Sequence, residues 1–271
     1  MKKTVLITGA STGFGKEAAK IFQQHGWNVM ATMRSPEKGS ELTQLENVLV
    51  TRLDVQDQQS INTAVQTAID KFGAIDVLVN NAGYGLIGVF ESATKAQIQN
   101  QYAVNVFGMM HVTQAVLPHM RANGSGVIVN ISSFGGIVGL PFGCFYNSTK
   151  FAVEGFSESL SHELAPLKIA VKVIEPGGVA TNLRNNMELI KNDIPAYDPY
   201  FAAFFARYPK TTEHLTRATA TEVAQTIYSA ATDGSTQLRY VIGPDAQFYI
   251  DTKMNNTDSD YIKAIRDFFI N

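Results

Sequence analysis

Cysteine is almost missing from this 271-residue chain, where Cys144 stands alone. No disulfide can form within it, and a reducing compartment, the cytoplasm, is expected. No histidine neighbours Cys144, so it reads as a small packing residue rather than an activated nucleophile. Charge is sparse and balanced, with 22 basic and 24 acidic side chains giving a net −2. That balance is no footprint for nucleic acid or an acidic membrane surface. No run of about 18 apolar residues is present to span a bilayer. Met1-Lys2-Lys3 before Thr4–Ile7 has the outline of a secretion signal. The apolar run is too short, however, and ends in a glycine turn, so it reads as a first buried strand. Solenoid-period repeats, low-complexity tracts and linker-like segments are also lacking, and a single domain over residues 1–271 is expected.

What is there is an alternation. Short apolar runs occur at Thr4–Thr8, Asn28–Met33, Val48–Leu53, Val77–Asn80, Val127–Ile131, Ala170–Ile174 and Arg239–Ile242. Most lack a polar–apolar alternation, as expected of strands buried on both faces. Helical patterns lie between them, at Gly13–His25, Gln58–Lys71, Ala96–Arg121, Phe145–Leu164 and Thr221–Thr232. Repeated strand–helix–strand units predict an α/β, Rossmann-type doubly wound parallel sheet of about seven strands, with helices on both faces.

Two segments carry chemistry. Thr8-Gly9-Ala10-Ser11-Thr12-Gly13-Phe14-Gly15 follows the first strand and opens the first helix. Glycines let a phosphate approach the backbone, and a helix N-terminus offers free N–H groups and partial positive charge. A plain strand-to-helix turn is the other reading. Tyr146 and Lys150 stand four apart, on one helix face, with Ser133 thirteen residues before the tyrosine. A nearby ammonium favours the phenolate, and a serine hydroxyl can bond the same oxygen. Taken singly, a tyrosine–lysine pair can arise by chance, and Ser132-Ser133 can be only a turn.

Further segments end the predicted strands, where ligands bind in open α/β sheets. They are Asp54-Val55, Asn80-Asn81-Ala82-Gly83 and Pro176-Gly177-Gly178-Val179-Ala180-Thr181. In this order and company the motifs resemble those of the short-chain dehydrogenases/reductases, over about residues 3–181. The resemblance implies a hydride exchanged with a nicotinamide dinucleotide, and no metal. It implies Tyr146 as general acid/base, Ser133 as the group polarising the substrate oxygen, and Lys150 on the nicotinamide ribose. It further implies Asn105 as holder of a relay water, Asn81, Ala82 and Gly83 beside the adenosine ribose, and Val179 and Thr181 near the carboxamide. From the residues alone, Asn105 reads rather as a helix-interior amide bonding backbone. Long-helix pairing in such proteins implies a homodimer or homotetramer. A nucleotide-sugar epimerase-like relative and a non-catalytic redox sensor are the rival readings. An intact Ser133–Tyr146–Lys150 set argues against the sensor.

The second predicted strand ends in Met33-Arg34, with no acid to take a ribose 2′-hydroxyl. Arginine suits a 2′-phosphate, so NADP(H) is expected over NAD(H). Residues Asn182–Thr219 exceed an ordinary crossover and carry Phe201, Phe204 and Phe205 at helical spacing. They are expected either to cover the substrate or to pack on the sheet. Ser133–Phe142 resembles the same segment in the 17β-hydroxysteroid and retinol-active branch. A small apolar ketone, aldehyde or secondary alcohol is the expected substrate.

Overall fold

All four residues of the first strand, β1 (Thr4–Ile7), are buried, because apolar side chains leave both its faces. In the computed structural model, which describes residues 2–179 and 187–271, the chain runs on through α1 (Gly13–Gln24), β2 (Asn28–Met33), β3 (Val48–Arg52), α2 (Gln58–Phe72), β4 (Val77–Asn80) and β5 (Gly85–Ile87). Next come α3 (Lys95–Tyr102), α4 (Met109–Asn123), β6 (Gly126–Ile131), α5 (Cys144–Leu164) and β7 (Ile169–Pro176). Beyond the undescribed residues lie β8 (Met187–Leu189), α6 (Asp198–Thr211), α7 (Ala220–Thr232), β9 (Arg239–Ile242), α8 (Pro244–Met254) and α9 (Asp258–Phe269).

Seven strands form one parallel sheet in the order β3-β2-β1-β4-β6-β7-β9. The side-chain period of two divides the core. Val5, Ile7, Val77, Val79 and Val129 pack with Phe22 of α1 and Val223 and Ile227 of α7. Leu6, Leu78 and Ile128 turn the other way, onto Ile61 of α2, Val112 and Val116 of α4 and Leu160 of α5. The chain winds outward in both directions from β1 and β4, so a crevice opens at their C-terminal ends.

Two additions alter that frame. β5 and β8 pair in parallel, Leu86 opposite Glu188, as a small second sheet at the crevice. Beyond the sheet, Phe204 of α6, Ala246 and Tyr249 of α8, and Tyr261, Ile265 and Phe269 of α9 gather with Phe134 and Val138 into a separate core. Between α3 and α4 the helix loosens into one π-helical turn, Ala103–Gly108, a feature common at functional sites. Gly108 lets this turn approach the loop that follows β3, for a Cβ there would lie 2.6 Å from a Val55 methyl.

Lys172 is buried on β7, 2% exposed. Its ammonium donates to Asp233 Oδ1 (3.2 Å), the Ser235 carbonyl (2.7 Å) and hydroxyl (3.0 Å), the Gln237 carbonyl (3.0 Å) and the Tyr240 hydroxyl (3.0 Å). One cation thereby folds the loop into β9 onto the sheet. Lys172→Met should cost about 3 kcal/mol, the low end for breaking a buried pair because Asp233 stays partly solvated. A thermal melt should read this as a fall of roughly 5–10 °C.

Candidate active site

A cleft of about 670 Å³ opens at the C-terminal ends of β1, β2, β4, β6 and β7, within the usual range for small-ligand sites. Gly9, Ser11, Thr12, Gly13 and Phe14 line it, with Arg34, Asp54, Val55, Asn81, Ala82, Gly83, Ser133, Tyr146, Lys150, Pro176, Gly177 and Val179. Most of the sequence-predicted site residues are thus brought together. Gly15 and Asn105 stand behind the cleft wall instead, and Thr181 lies outside the described residues.

The glycine turn is built to leave space. Gly9 and Gly13 have positive φ, 67° and 57°, a region that strains other residues. Nothing lies within 4 Å of where a Gly13 Cβ would point, so the start of α1 is open. Asn81 fastens the turn, its amide donating to the carbonyls of Thr8 (2.9 Å) and Gly9 (3.0 Å). Gly15 packs against that same amide: a Cβ there would sit 2.5 Å from Asn81 Nδ2 and 2.7 Å from the Gly9 carbonyl. Its missing Cβ permits this close packing of helix on turn. An open helix N-terminus with glycines at the approach fits the pyrophosphate of a dinucleotide.

Ser133, Tyr146 and Lys150 line the middle of the cleft. Ser133 caps a 3₁₀ turn, Phe134–Gly136, where its hydroxyl accepts from the Gly135 N–H at 3.1 Å. Asn147 sets the spacing of serine and tyrosine. Its amide ties α5 to the Gly135 (2.8 Å) and Val138 (2.9 Å) carbonyls. Gly135 and Gly143 make room for it, since a Cβ on either would meet its amide at 2.7 and 2.2 Å. Sequence reasoning passed over Asn147, although an amide beside the tyrosine facing a glycine-rich loop was a signal. The Lys150 ammonium donates to the Ile131 carbonyl at 2.8 Å and lies 5.7 Å from the centre of the Tyr146 ring.

The electrostatics correct one expectation. Burial holds the Tyr146 phenol above its ordinary pKa, with the Ser133 hydroxyl pulling the other way. Burial also lowers the Lys150 pKa, to about 8, against the opposing charge of Glu154. The Asn105 side chain is engaged by its neighbours. It sits buried in the π-helical turn and accepts from the Tyr84 N–H at 3.0 Å. Both its N–H donors are spent, on the Tyr84 carbonyl (2.8 Å) and the Thr149 hydroxyl (3.2 Å). Those bonds make its side chain a clamp between the strand-end loop and α5.

The outer end of the cleft is lined by Leu140, Pro141, Met187, Phe204, Phe205 and Tyr208, with Tyr84, Asn100 and Glu188. The aromatic segment lines the cleft and packs on α8, α9 and the Phe134–Phe142 stretch rather than on the sheet. Phe205 faces the cleft, whereas Phe204 is also core and Phe201 packs on Phe142 and Phe205 without lining the cleft.

Residues 3–191 match the profile of the family described as short chain dehydrogenase. The chain belongs to that family. An oxidoreductase of Schizosaccharomyces pombe, itself uncharacterised, is 43% identical over 212 residues, 78% of this chain and 88% of the relative. The 3-ketodihydrosphingosine reductase of Bacteroides thetaiotaomicron is 38% identical, over 77% of this chain and 75% of its own. A short-chain dehydrogenase from Streptomyces avermitilis superposes with a TM-score of 0.85 at 32% identity, over 98% of this chain and 95% of that one. Similar structures hold either nicotinamide cofactor. ElxO with NADP bound reaches TM-score 0.75 at 30% identity, over 89% of this chain and 98% of its own. A 3-ketoacyl-(acyl-carrier-protein) reductase from Brucella melitensis complexed with NADH reaches 0.75 at 25% identity, over 89% and 96%. The protein is an NAD(P)-dependent oxidoreductase of this family.

Proposed function

We propose that the protein interconverts an apolar ketone or aldehyde and its alcohol with NADP(H) as the preferred partner, Tyr146 serving as general acid/base. The carrying observation is the meeting of Ser133, Tyr146 and Lys150 in one cleft with the glycine turn. A bound nicotinamide dinucleotide supplies or takes the hydride. Gly9, Ser11, Thr12, Gly13 and Phe14 would hold its phosphates, Asp54 and Val55 the adenine, and Asn81, Ala82 and Gly83 the adjoining ribose. Pro176, Gly177 and Val179 would border the nicotinamide. Lys150 would hold its ribose.

The protein's part in the chemistry is to move a proton and exclude water. The Ser133 hydroxyl donates to the substrate oxygen and orients it. As negative charge grows on that oxygen, Tyr146 gives it a proton; for alcohol oxidation it takes one. A phenol held above its ordinary pKa keeps its proton at neutral pH, the state that reduction requires.

Cofactor preference rests on Arg34, exposed and lining the cleft beside buried Met33. A guanidinium bond to a 2′-phosphate contributes about 1.5–3 kcal/mol, or roughly one to two powers of ten in affinity. Arg34→Ala should therefore narrow the NADPH-over-NADH ratio of kcat/KM by about 10- to 100-fold. Equal kcat/KM for both cofactors in the parent protein would refute the preference.

An apolar substrate is supported by the outer wall of the cleft. Among the described residues, Arg34 and Lys150 are the only basic side chains lining it, and neither stands at that end. A phosphorylated substrate would lack a cation there. The 3-ketodihydrosphingosine reductase relative and the branch-like Ser133–Phe142 segment point the same way. Exposed Phe107 on the π-helical turn and Phe151 on α5 suit helix pairing in a homodimer or homotetramer. A monomer by light scattering would contradict this. No helix among the described residues is long and apolar enough to cross a membrane. With a lone cysteine, we take the cytoplasm as the site of action.

A further inference from the structure

Behind Lys150 lies a buried charge cluster that takes no part in the proposed proton transfer. Glu154 follows Lys150 by one helical turn on α5 and is 5% exposed. Its Oε2 accepts from Arg239 Nε at 3.0 Å. Glu175, on β7 just before Pro176-Gly177 of the cleft wall, is 1% exposed, with Oε1 3.4 Å from the same Nε. Arg239 reaches out of the cluster through Nη2 to exposed Glu158 at 2.6 Å. Glu154 Oε1, Glu175 Oε1 and Ser132 Oγ are buried without hydrogen-bond partners among the described residues. Gly136 admits Glu154 beneath the turn that carries Ser133. A Cβ there would fall 2.9 Å from Glu154 Cγ and 2.7 Å from Ser132 Oγ.

Such an arrangement is costly as mere packing. Buried carboxylates are normally fully bonded, and two on a single guanidinium leave negative charge over. Among the described residues, the buried cation one helical turn away on α5 is Lys150, whose own bond goes to the neutral Ile131 carbonyl. We propose that Glu154, fixed by Arg239 and backed by Glu175, is a positioning residue that supplies the counter-charge keeping the Lys150 ammonium protonated in its desolvated site.

The direction of the effect follows from the charges facing Lys150. Burial lowers the lysine pKa to about 8, and the charge of Glu154 opposes that fall. The ammonium is therefore complete well below pH 8 and is lost as pH rises through it. Glu175 is pushed up to about 7 by burial first and by the Glu154 charge second, with Arg239 opposing. As pH climbs through 7, Glu175 ionises and the cluster gains negative charge just where the lysine begins to lose its proton. Glu154 extends the alkaline range over which Lys150 stays charged. Glu158, at the solvent edge and influenced by His162, is held low by Arg239 and belongs to the outer side.

The inference rests on the reading that Lys150 serves turnover, and the experiment separates the two. Lysine labelled with ¹³C at Cε is followed by NMR as pH rises in the cofactor-free protein, Lys150→Arg giving the assignment. In Glu154→Gln the Lys150 resonance should titrate about one pH unit lower than in the parent, within the roughly 1–3 units a close opposite charge imposes. The alkaline limb of kcat/KM should move down with it, and Glu158→Gln should leave both where they are. Glu175→Gln, the fallback if Glu154→Gln does not fold, should move both by less and in the same direction. A Lys150 titration that superimposes on the parent's in Glu154→Gln and Glu175→Gln overturns the proposal, whatever turnover does. A shifted resonance with an unmoved kinetic limb supports the counter-charge and overturns instead the role of Lys150 in turnover.

Discussion

Tyr146→Phe is expected to lower kcat by about 10²- to 10⁴-fold, the usual contribution of a positioned acid or base, while leaving cofactor affinity close to unchanged. The ring is kept, and with it the packing around Gly135, whose missing Cβ would lie 3.5 Å from Tyr146 Cε1. Only the oxygen that would exchange a proton with substrate is lost. Ser133 cannot replace it. Its hydroxyl already accepts from the Gly135 N–H and has no base at hand to restore a proton that it gave away. Cofactor binding should survive because the glycine turn is fastened by Asn81, at the other end of the cleft from the phenol. Steady-state kinetics with fluorescence titration of NADPH separates these quantities. A variant that keeps half the parent's kcat removes Tyr146 from the chemistry, and one that loses both turnover and NADPH binding points to a collapsed site.

The sheet was legible because its signal is local. Val77–Asn80 and Asn28–Met33 are runs of apolar residues bounded by polar ones, and their observed limits coincide with those expected. The small sheet was not legible. β5 and β8 have three residues each, too few to show a period, and Gly85 finds its partner at Met187, far along the chain. The same divide runs through the site. Tyr146, Lys150 and the glycine turn could be read because their chemistry depends on residue type and short spacing. The contacts of Asn105 could not, since a π-helical turn aims it at Tyr84, and that turn is fixed by the approach of Gly108 to Val55. Neither could the electrostatic balance around Tyr146. A tyrosine four residues from a lysine suggests a lowered phenol pKa, but burial of the phenol raises it instead. Glu154 and Glu175 look like ordinary charged positions until β7, β9 and α5 close over them.

Lengthening an unbranched ketone one methylene at a time should raise kcat/KM, with each buried CH₂ adding up to about 0.8 kcal/mol. Four added methylenes would then give a rise on the order of 10²-fold, levelling off when the chain outgrows the cleft. The walls that would make these contacts are Leu140, Pro141, Met187, Phe204 and Phe205. Phe204 is the rigid part of that wall. It is held by Phe142, Tyr208 and Phe269 at ring-centre distances of 5.4–5.5 Å, so the C-terminal helices fix where the substrate's tail lies. Phe204→Ala should therefore flatten the series, most strongly for the longer ketones, because it removes apolar wall and loosens what remains. Glu188 stands at the same end with Oε1 accepting from Gln97 at 2.7 Å, and a carboxylate there disfavours any anionic tail. Ketones ending in a carboxylate should consequently fall below their methyl-ended counterparts of equal length. A flat series in the parent protein, together with strong turnover of sugar phosphates, would mean that the apolar wall is core packing alone and that the substrate enters by another face of the cleft.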